Sequence, residues 1–165
     1  MIIIGIDPGT VITGYGIIKI MGSKYQVLDF GCIRPPAKLK LSNRYHIIFD
    51  SLEELLKTHQ PTVAVVETQF TQINPKTAMK LSMARAMAIL AARRSGISIH
   101  EYSPSRAKKA VVGNGQASKQ QVQAMMKHIL NLPSSTIPED AADALALAVC
   151  HAQTIHIPHS KSTEI

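Results

Sequence analysis

Three apolar stretches, separated by short turns, open the chain. Residues 1–7 (MIIIGID) form an apolar run that ends in a carboxylate, residues 12–20 (ITGYGIIKI) interleave glycines with aliphatic side chains, and residues 25–33 continue the strand-like pattern. Turn-forming residues occupy positions 8–10 and 21–23 between them. Short turns between strand-like runs favour antiparallel pairing, so the pattern predicts a three-stranded meander.

Helical and strand-like patterns alternate after Pro35 and Pro36. A helix with apolar residues at spacings of three and four ends near His59, and a short strand follows at residues 63–66. Asn74 and Pro75 predict the start of a helix over residues 75–95, because asparagine caps helices and proline suits the first helical position. A strand at 97–102 and three further helices complete the series, the last one opening at Pro138.

This order predicts an α/β fold. Three antiparallel strands followed by alternating helices and strands indicate one mixed sheet flanked by helices. We expect one domain over residues 1–152 and a flexible tail over 153–165, since periodicity is lost from His151 onward. His151, His156 and His159 are therefore interpreted as solvated tail residues rather than metal ligands.

Composition narrows the class of protein. The 165 residues are 45% hydrophobic and 18% charged, which is typical of one globular domain and excludes a disordered chain or a coiled coil. No apolar run approaches the roughly 20 residues needed to cross a bilayer. Cys32 and Cys150 lie far apart without metal-ligand spacing. We therefore expect a cytoplasmic protein without a membrane span, a disulfide framework or a zinc site.

Positive charge is concentrated in the middle of the chain. The net charge is +7, and residues 68–138 hold ten lysines and arginines against one acid, Glu101. Such a field suits a polyanion such as nucleic acid, whose phosphates attract it. A solvated basic surface would explain the charge equally well, so charge alone leaves both interpretations open.

Four carboxylates stand in apolar surroundings. Asp7 and Glu67 each end a predicted core strand, and Asp140 and Asp143 lie three residues apart on a helix rich in alanine and leucine. Six other acids lie in polar contexts and are expected to face solvent: Asp29, Asp50, Glu53, Glu54, Glu101 and Glu164. Taken singly, the four have ordinary explanations as turn residues or helix N-terminal charges. Taken together with the basic segment, they favour a site for Mg²⁺ or Mn²⁺, because oxygen ligands suit these cations.

Five segments, in order, resemble the RuvC Holliday-junction resolvases: GIDPGTVITGYGII, VVETQF, NPKTAMKLSMARAMAI, VVGNGQASKQQV and PEDAADALALAVCHA. The resemblance spans about residues 1–152. It implies an RNase H-like fold, a homodimer, and Mg²⁺-dependent, symmetrical nicking of four-way junction DNA in homologous recombination and DNA repair. Two Mg²⁺ ions per site are implied, with Mn²⁺ as a substitute, together with a partnership with the RuvA–RuvB branch-migration complex.

The resemblance also assigns roles to residues. The family's catalytic carboxylates fall on Asp7, Glu67, Asp140 and Asp143, and its catalytic lysine on Lys119. Lys108 and Phe70 match residues that contact DNA in the family. Two of these residues have an ordinary alternative: Lys119 could be a plain exposed lysine, and Phe70 could be a core aromatic. The complete set of predicted DNA contacts is Phe70, Lys76, Lys80, Arg85, Lys108 and Lys119.

The sequence departs from the family pattern at one place, and several alternative interpretations remain open. Where the family has glycines on the helix after the glutamate, this chain has Ser82 and Ala86. That helix, rich in alanine and methionine, is the candidate dimer interface, with a core helix as the other interpretation.

A nucleic-acid-binding protein of the same fold, or a nuclease for another branched substrate, is the alternative function. The GIDPGT segment also resembles the first phosphate loop of actin-like ATPases, which need a second lobe that a single small domain does not supply.

Overall fold

A six-stranded mixed sheet forms the centre of the protein, seen in a computed structural model that describes residues 1–68, 74–133, 137–155 and 163–165. The strands are β1 (Ile2–Asp7), β2 (Thr13–Met21), β3 (Lys24–Ile33), β4 (Val63–Glu67), β5 (Ser98–Tyr102) and β6 (Thr163–Glu164). Their order across the sheet is β3-β2-β1-β4-β5-β6. The first three strands pair antiparallel, β1, β4 and β5 run parallel, and β6 returns antiparallel. The predicted α/β class and meander are confirmed.

Helices cover both faces of the sheet. They are α1 (Leu41–His59), α2 (Pro75–Arg94), α3 (Pro104–Val112), α4 (Lys119–Ile129) and α5 (Glu139–Thr154). The first two pack on one face and the last three on the other, giving two separate apolar cores. The Asn74 side chain accepts a hydrogen bond from the backbone N–H of Lys76, as the sequence predicted for the start of α2.

Strand alternation decides which core each side chain enters. Ile6 and Val66 lie in the core beneath α1 and α2, whereas Ile3 and Val65 lie in the core beneath α3, α4 and α5. Successive side chains of a strand point to opposite faces. The last residues of β1 and β4 therefore point toward the α3–α5 face.

Helix α5 lies unusually close to the strands that it crosses. A Cβ atom added at Gly5 would fall on the carbonyl oxygen of Ala144, and one added at Gly14 on the carbonyl oxygen of Asp140. Only residues without a side chain permit this approach. The glycines of β1 and β2 thus let the first turns of α5 lie directly beside the end of β1.

The C-terminal segment differs from the expectation of a solvated tail starting near His151. Helix α5 continues to Thr154, and His151 is 1% exposed, sharing a 2.9 Å hydrogen bond through Nδ1 with the Tyr102 hydroxyl. The solvated interpretation of His151 was wrong because its partner lies 49 residues away in the sequence. Further along, Thr163 and Glu164 pair with β5, whereas His156 and His159 lie outside the described residues. The domain boundary at residue 152 stays a prediction.

Cys32 and Cys150 are both free thiols. Across the described ranges, no helix combines the length and the apolar character that a membrane span requires.

Candidate active site

The end of β1 and the end of β4 bring two predicted carboxylates to one cavity. Asp7 and Glu67 line a cavity of about 220 Å³ together with Asp143 of α5. The loop after Asp7 is fixed locally, since the Thr13 hydroxyl donates a 2.8 Å hydrogen bond to the Gly9 carbonyl oxygen. Because parallel neighbours end at the same edge of the sheet, these side chains meet although 60 residues separate them in sequence.

Two lysines complete the wall of this cavity. Lys108 of α3 and Lys119 of α4 line it together with the carboxylates. Lys119 Nζ lies 3.9 Å from Asp143 Oδ2 and 3.9 Å from Asp140 Oδ1. Asp140 does not itself line the cavity and lies at its edge, linked to it through Lys119. All five predicted catalytic residues are thus placed in one neighbourhood.

Three acids of this cluster have pKa values above their ordinary range, so they do not all ionise readily at neutral pH. Burial, followed by the charges of Asp143 and Asp140, raises the pKa of Asp7 to about 7. Burial and the neighbouring Asp7 and Asp143 raise the pKa of Glu67 to about 8. Burial also raises the pKa of Asp143, against the opposing charges of Lys119 and Lys108. In the absence of another cation, the cluster holds more negative charge than its lysines neutralise.

The pKa of Lys119 is also raised, but for a different reason. Burial lowers its pKa, but the carboxylates of Asp143, Asp140, Glu139 and Asp7 outweigh burial, so the pKa is raised above its ordinary value. The ammonium group therefore stays charged at neutral pH and places a positive charge beside the carboxylates of the site.

The donor set fits a hard divalent cation. Its ligands are carboxylate oxygens, which Mg²⁺ and Mn²⁺ prefer. Burial first, and then repulsion between neighbouring carboxylates, raises the pKa values of Asp7 and Glu67, and a bound cation would favour their ionised forms. As placed, no three acidic, histidine or cysteine side chains within the described part of the chain are close enough to hold one ion. Asp7, Glu67 and Asp143 line part of the cavity without forming a closed cage.

The predicted DNA contacts fall into distinct environments. Lys76 and Lys80 are exposed on the first turns of α2, and Lys108 is partly buried in the cavity wall. Arg85 is turned inward and forms an ion pair with Glu101 of β5. Phe70 lies outside the described residues, so its predicted contact with DNA bases stays a prediction.

Two acids were misjudged or missed in the sequence. Glu101 was expected to face solvent, but its side chain is only 23% exposed because Arg85 neutralises it. Glu139 was not considered, yet its Oε2 lies 3.6 Å from Lys119 Nζ. Its position directly before Asp140, in the first turn of α5, was the available signal.

Comparison with known proteins agrees with this geometry. The family model described as "Crossover junction endodeoxyribonuclease RuvC" matches residues 3–151. This chain belongs to the RuvC family. The crossover junction endodeoxyribonuclease RuvC of Protochlamydia amoebophila is 57% identical over 153 residues, covering 93% of this chain and 91% of the relative. The protein of the same name from Ruminiclostridium cellulolyticum is 48% identical, covering 92% and 91%.

A solved structure places the whole chain in the RuvC fold. Thermus thermophilus RuvC in complex with a Holliday junction substrate superposes with a TM-score of 0.90 at 30% identity, covering 99% of each chain. The predicted family, the RNase H-like fold and the assignment as a junction endonuclease are confirmed. Membership of this nuclease family also implies dependence on a divalent metal ion.

Proposed function

We propose that this chain resolves four-way DNA junctions by paired, symmetrical hydrolysis of phosphodiester bonds during recombination and repair. The observation that carries the proposal is the cavity where Asp7, Glu67 and Asp143 face Lys108 and Lys119, in a chain of the RuvC family. The cavity combines carboxylate oxygens that could bind a metal ion with cationic side chains that could bind a phosphate. A protein that only bound junctions would not need buried, mutually repelling carboxylates.

Asp7, Glu67, Asp140 and Asp143 would hold the metal, which we propose to be Mg²⁺, two ions per site, with Mn²⁺ as a substitute. When bound, the ions would make an attacking water more acidic and stabilise the leaving 3′ oxygen. Lys119 would donate hydrogen bonds to the phosphoryl oxygens as negative charge builds on them. The carboxylates would orient these groups, and the products would be a 5′-phosphate and a 3′-hydroxyl.

Symmetrical cutting requires two sites related by a two-fold axis, so we propose a homodimer. Helix α2 offers a surface for it, because Met79, Met83 and Leu90 recur along one side and are 69%, 46% and 48% exposed. Ala86, in the place of a family glycine, lies on the same exposed side. This apolar stripe on α2, residues 79, 83, 86 and 90, would lose its contact with water in a dimer.

Partnership with the RuvA–RuvB branch-migration complex rests on membership of the family alone. The cytoplasmic location expected from the sequence stays a prediction.

The test compares an end-labelled four-way junction that can branch-migrate with a linear duplex of the same sequence. We expect paired nicks at symmetrical positions in the junction alone, dependent on Mg²⁺ and abolished by EDTA. Asp7→Asn should abolish nicking yet keep junction binding, since it removes a metal ligand and a repulsive charge. Asp50→Asn, which changes an exposed carboxylate on α1, is the matched control and should cut normally.

Two outcomes would contradict the proposal. Cutting by Asp7→Asn at the normal rate would remove the assigned site. Tight junction binding by the unchanged protein without any nick, over several sequences, would favour a binding protein of this fold or a nuclease for another branched substrate.

A further inference from the structure

Arg85 connects helix α2 to the ends of two central strands. Its Nε donates a 3.3 Å hydrogen bond to the backbone carbonyl oxygen of Glu67, the last residue of β4. Its Nη2 donates to Glu101 Oε2 on the neighbouring strand β5 and forms an ion pair with it. The side chains of Arg85 and Glu101 are each only 23% exposed. One guanidinium thus binds the backbone of a proposed metal ligand and the carboxylate of an adjacent strand.

Glu101 lies where this connection needs it. In the parallel pairing of β4 and β5, Val66 is opposite Glu101 and Glu67 is opposite Tyr102. Glu101 therefore shares the sheet face of Val66, beneath α2, while Glu67 points to the cavity on the other face. The next residue, Thr68, donates its backbone N–H to the Tyr102 carbonyl oxygen at 2.9 Å. The end of β4 is consequently fixed by β5 on one side and by Arg85 on the other.

We infer that Arg85, held by Glu101, is a positioning residue that fixes the backbone of Glu67 and so aims its carboxylate into the cavity. This inference rests on the proposed function, in which Glu67 is a metal ligand. It replaces the expectation that Arg85 contacts DNA phosphates. Turning the guanidinium out to a phosphate would leave the largely buried carboxylate of Glu101 without its partner, which is costly.

Helix α2 supplies a matched control for this pair. Near its C-terminal end, Arg94 Nε lies 3.0 Å from Glu53 Oε1, with the Arg94 side chain 64% exposed. This second arginine–glutamate pair joins α2 to α1 and touches neither β4 nor the cavity. An exposed pair of this kind contributes little to stability.

The experiment uses Arg85→Gln, Glu101→Gln, the double variant and Arg94→Gln, each assayed on the four-way junction. We expect Arg85→Gln and Glu101→Gln each to lower the cleavage rate at saturating junction by roughly 10- to 100-fold, because a small misplacement of a reacting group has effects of this size. The double variant should be no worse than the poorer single variant, since both changes break one connection. Arg94→Gln should cut at the unchanged rate.

Two further readouts do not depend on cleavage. Junction affinity in EDTA, and its dependence on salt, should be the same for Arg85→Gln as for the unchanged protein. The pKa of Glu67, measured by carboxyl NMR titration of the metal-free protein, should move in both single variants and stay in place in Arg94→Gln. If the unchanged protein fails to cut any junction, the proposed function fails, but the NMR titration still decides whether Arg85 positions Glu67.

A direct phosphate contact would give a different pattern. Arg85→Gln would then weaken junction binding and reduce the salt slope by about one, and Glu101→Gln would cut normally. Arg85→Lys separates the two models if the glutamine variant folds poorly. A lysine keeps the charge that a phosphate needs, but it lacks the planar fork that reaches both the Glu67 carbonyl and Glu101. Recovery of cleavage by Arg85→Lys would overturn the inference.

Discussion

At the scale of single residues, Lys119 determines how the carboxylate cluster is balanced. Its ammonium group lies within 3.9 Å of Glu139, Asp140 and Asp143 and opposes the upward shift of the pKa of Asp7 and of Glu67. It is also 47% exposed, so it can meet a phosphate that enters the cavity. One side chain therefore offsets part of the negative charge of the cluster and is available to the substrate.

Replacing Lys119 should separate these two roles. We expect Lys119→Gln to lower the cleavage rate by roughly 10²- to 10³-fold, the size of effect seen when one donor to a developing oxyanion is removed. In the metal-free protein, the pKa of Asp7 should rise above 7, since the opposing charge has gone. Single-turnover cleavage and carboxyl NMR titration measure the two effects. Lys127→Gln, on the same helix, is the control, and an unchanged rate in Lys119→Gln would contradict the assigned role.

At the scale of elements, the site depends on how closely α5 lies on the sheet. Gly14 on β2 leaves room for the carbonyl oxygen of Asp140, and this contact holds the first turn of α5 beside the end of β1. The helix has no side-chain hydrogen bond at its Pro138 cap, so packing rather than capping fixes its start. The positions of Asp140 and Asp143 thus depend on Gly14, which has no side chain.

A methyl group at Gly14 should move the start of α5. We expect Gly14→Ala to destabilise the protein by about 1–3 kcal/mol, as overpacking does, and to lower cleavage beyond what lost stability explains. Gly96→Ala is the control, because its φ of 71° strains any side chain while nothing lies near its Cβ position. Denaturant unfolding and cleavage rates would be measured together. Equal stability losses with equal cleavage rates in both variants would show that α5 does not need this close approach.

The sequence predicts those features of the site that depend on the pattern of neighbouring residues along the chain. An apolar run that ends in an acid places Asp7 and Glu67 at strand ends, and helical spacing places Asp140 and Asp143 on one face. Partners distant in sequence cannot be predicted in this way. Glu101 was expected to face solvent because the neutralising Arg85 lies 16 residues away, and His151 because Tyr102 lies 49 residues away. Local polarity describes a residue's neighbours along the chain, whereas burial depends on its neighbours in the fold.

At the scale of the whole molecule, the apolar stripe on α2 would link the proposed two-fold symmetry to the site. The same helix carries Met79, Met83 and Leu90 outward and Arg85 inward, toward the end of β4. An interface on the outer side would hold the helix that supports Glu67. Two sites in a dimer would then be positioned by elements that meet at the two-fold axis.

A charge in this stripe should prevent dimerisation. We expect Met83→Glu to sediment as a monomer at concentrations where the unchanged protein is a dimer, because a carboxylate would have to be buried in the interface. Met21→Glu is the matched control, since Met21 is 51% exposed in the hairpin between β2 and β3. Sedimentation velocity gives the oligomeric state. A Met83→Glu protein that remains dimeric would place the interface elsewhere.

The buried carboxylates also make the stability of the metal-free protein depend on pH. Their pKa values rise on folding from ordinary values of 3.8 and 4.5 to about 7 for Asp7 and about 8 for Glu67. The folded state then binds more protons than the unfolded state between these limits, so the free energy of unfolding falls as pH rises, until both groups are ionised. His151, whose pKa burial and the neighbouring His100 lower to about 4, gives the opposite slope, but only below its ordinary value of 6.5.

Between about pH 6.5 and pH 9 the carboxylates therefore determine whether the free energy of unfolding rises or falls with pH. In EDTA we expect the free energy of unfolding to fall by about 3 kcal/mol over this range, measured by denaturant titration. Asp7→Asn and Glu67→Gln should each flatten the slope, and Asp50→Asn should leave it unchanged. Saturating Mg²⁺ should also remove the decline, because a cation that binds the ionised carboxylates stabilises the folded state more at higher pH. A free energy of unfolding that stays level or rises with pH in EDTA would mean that these acids ionise freely in the folded protein, and their burial would then not explain the need for a cation.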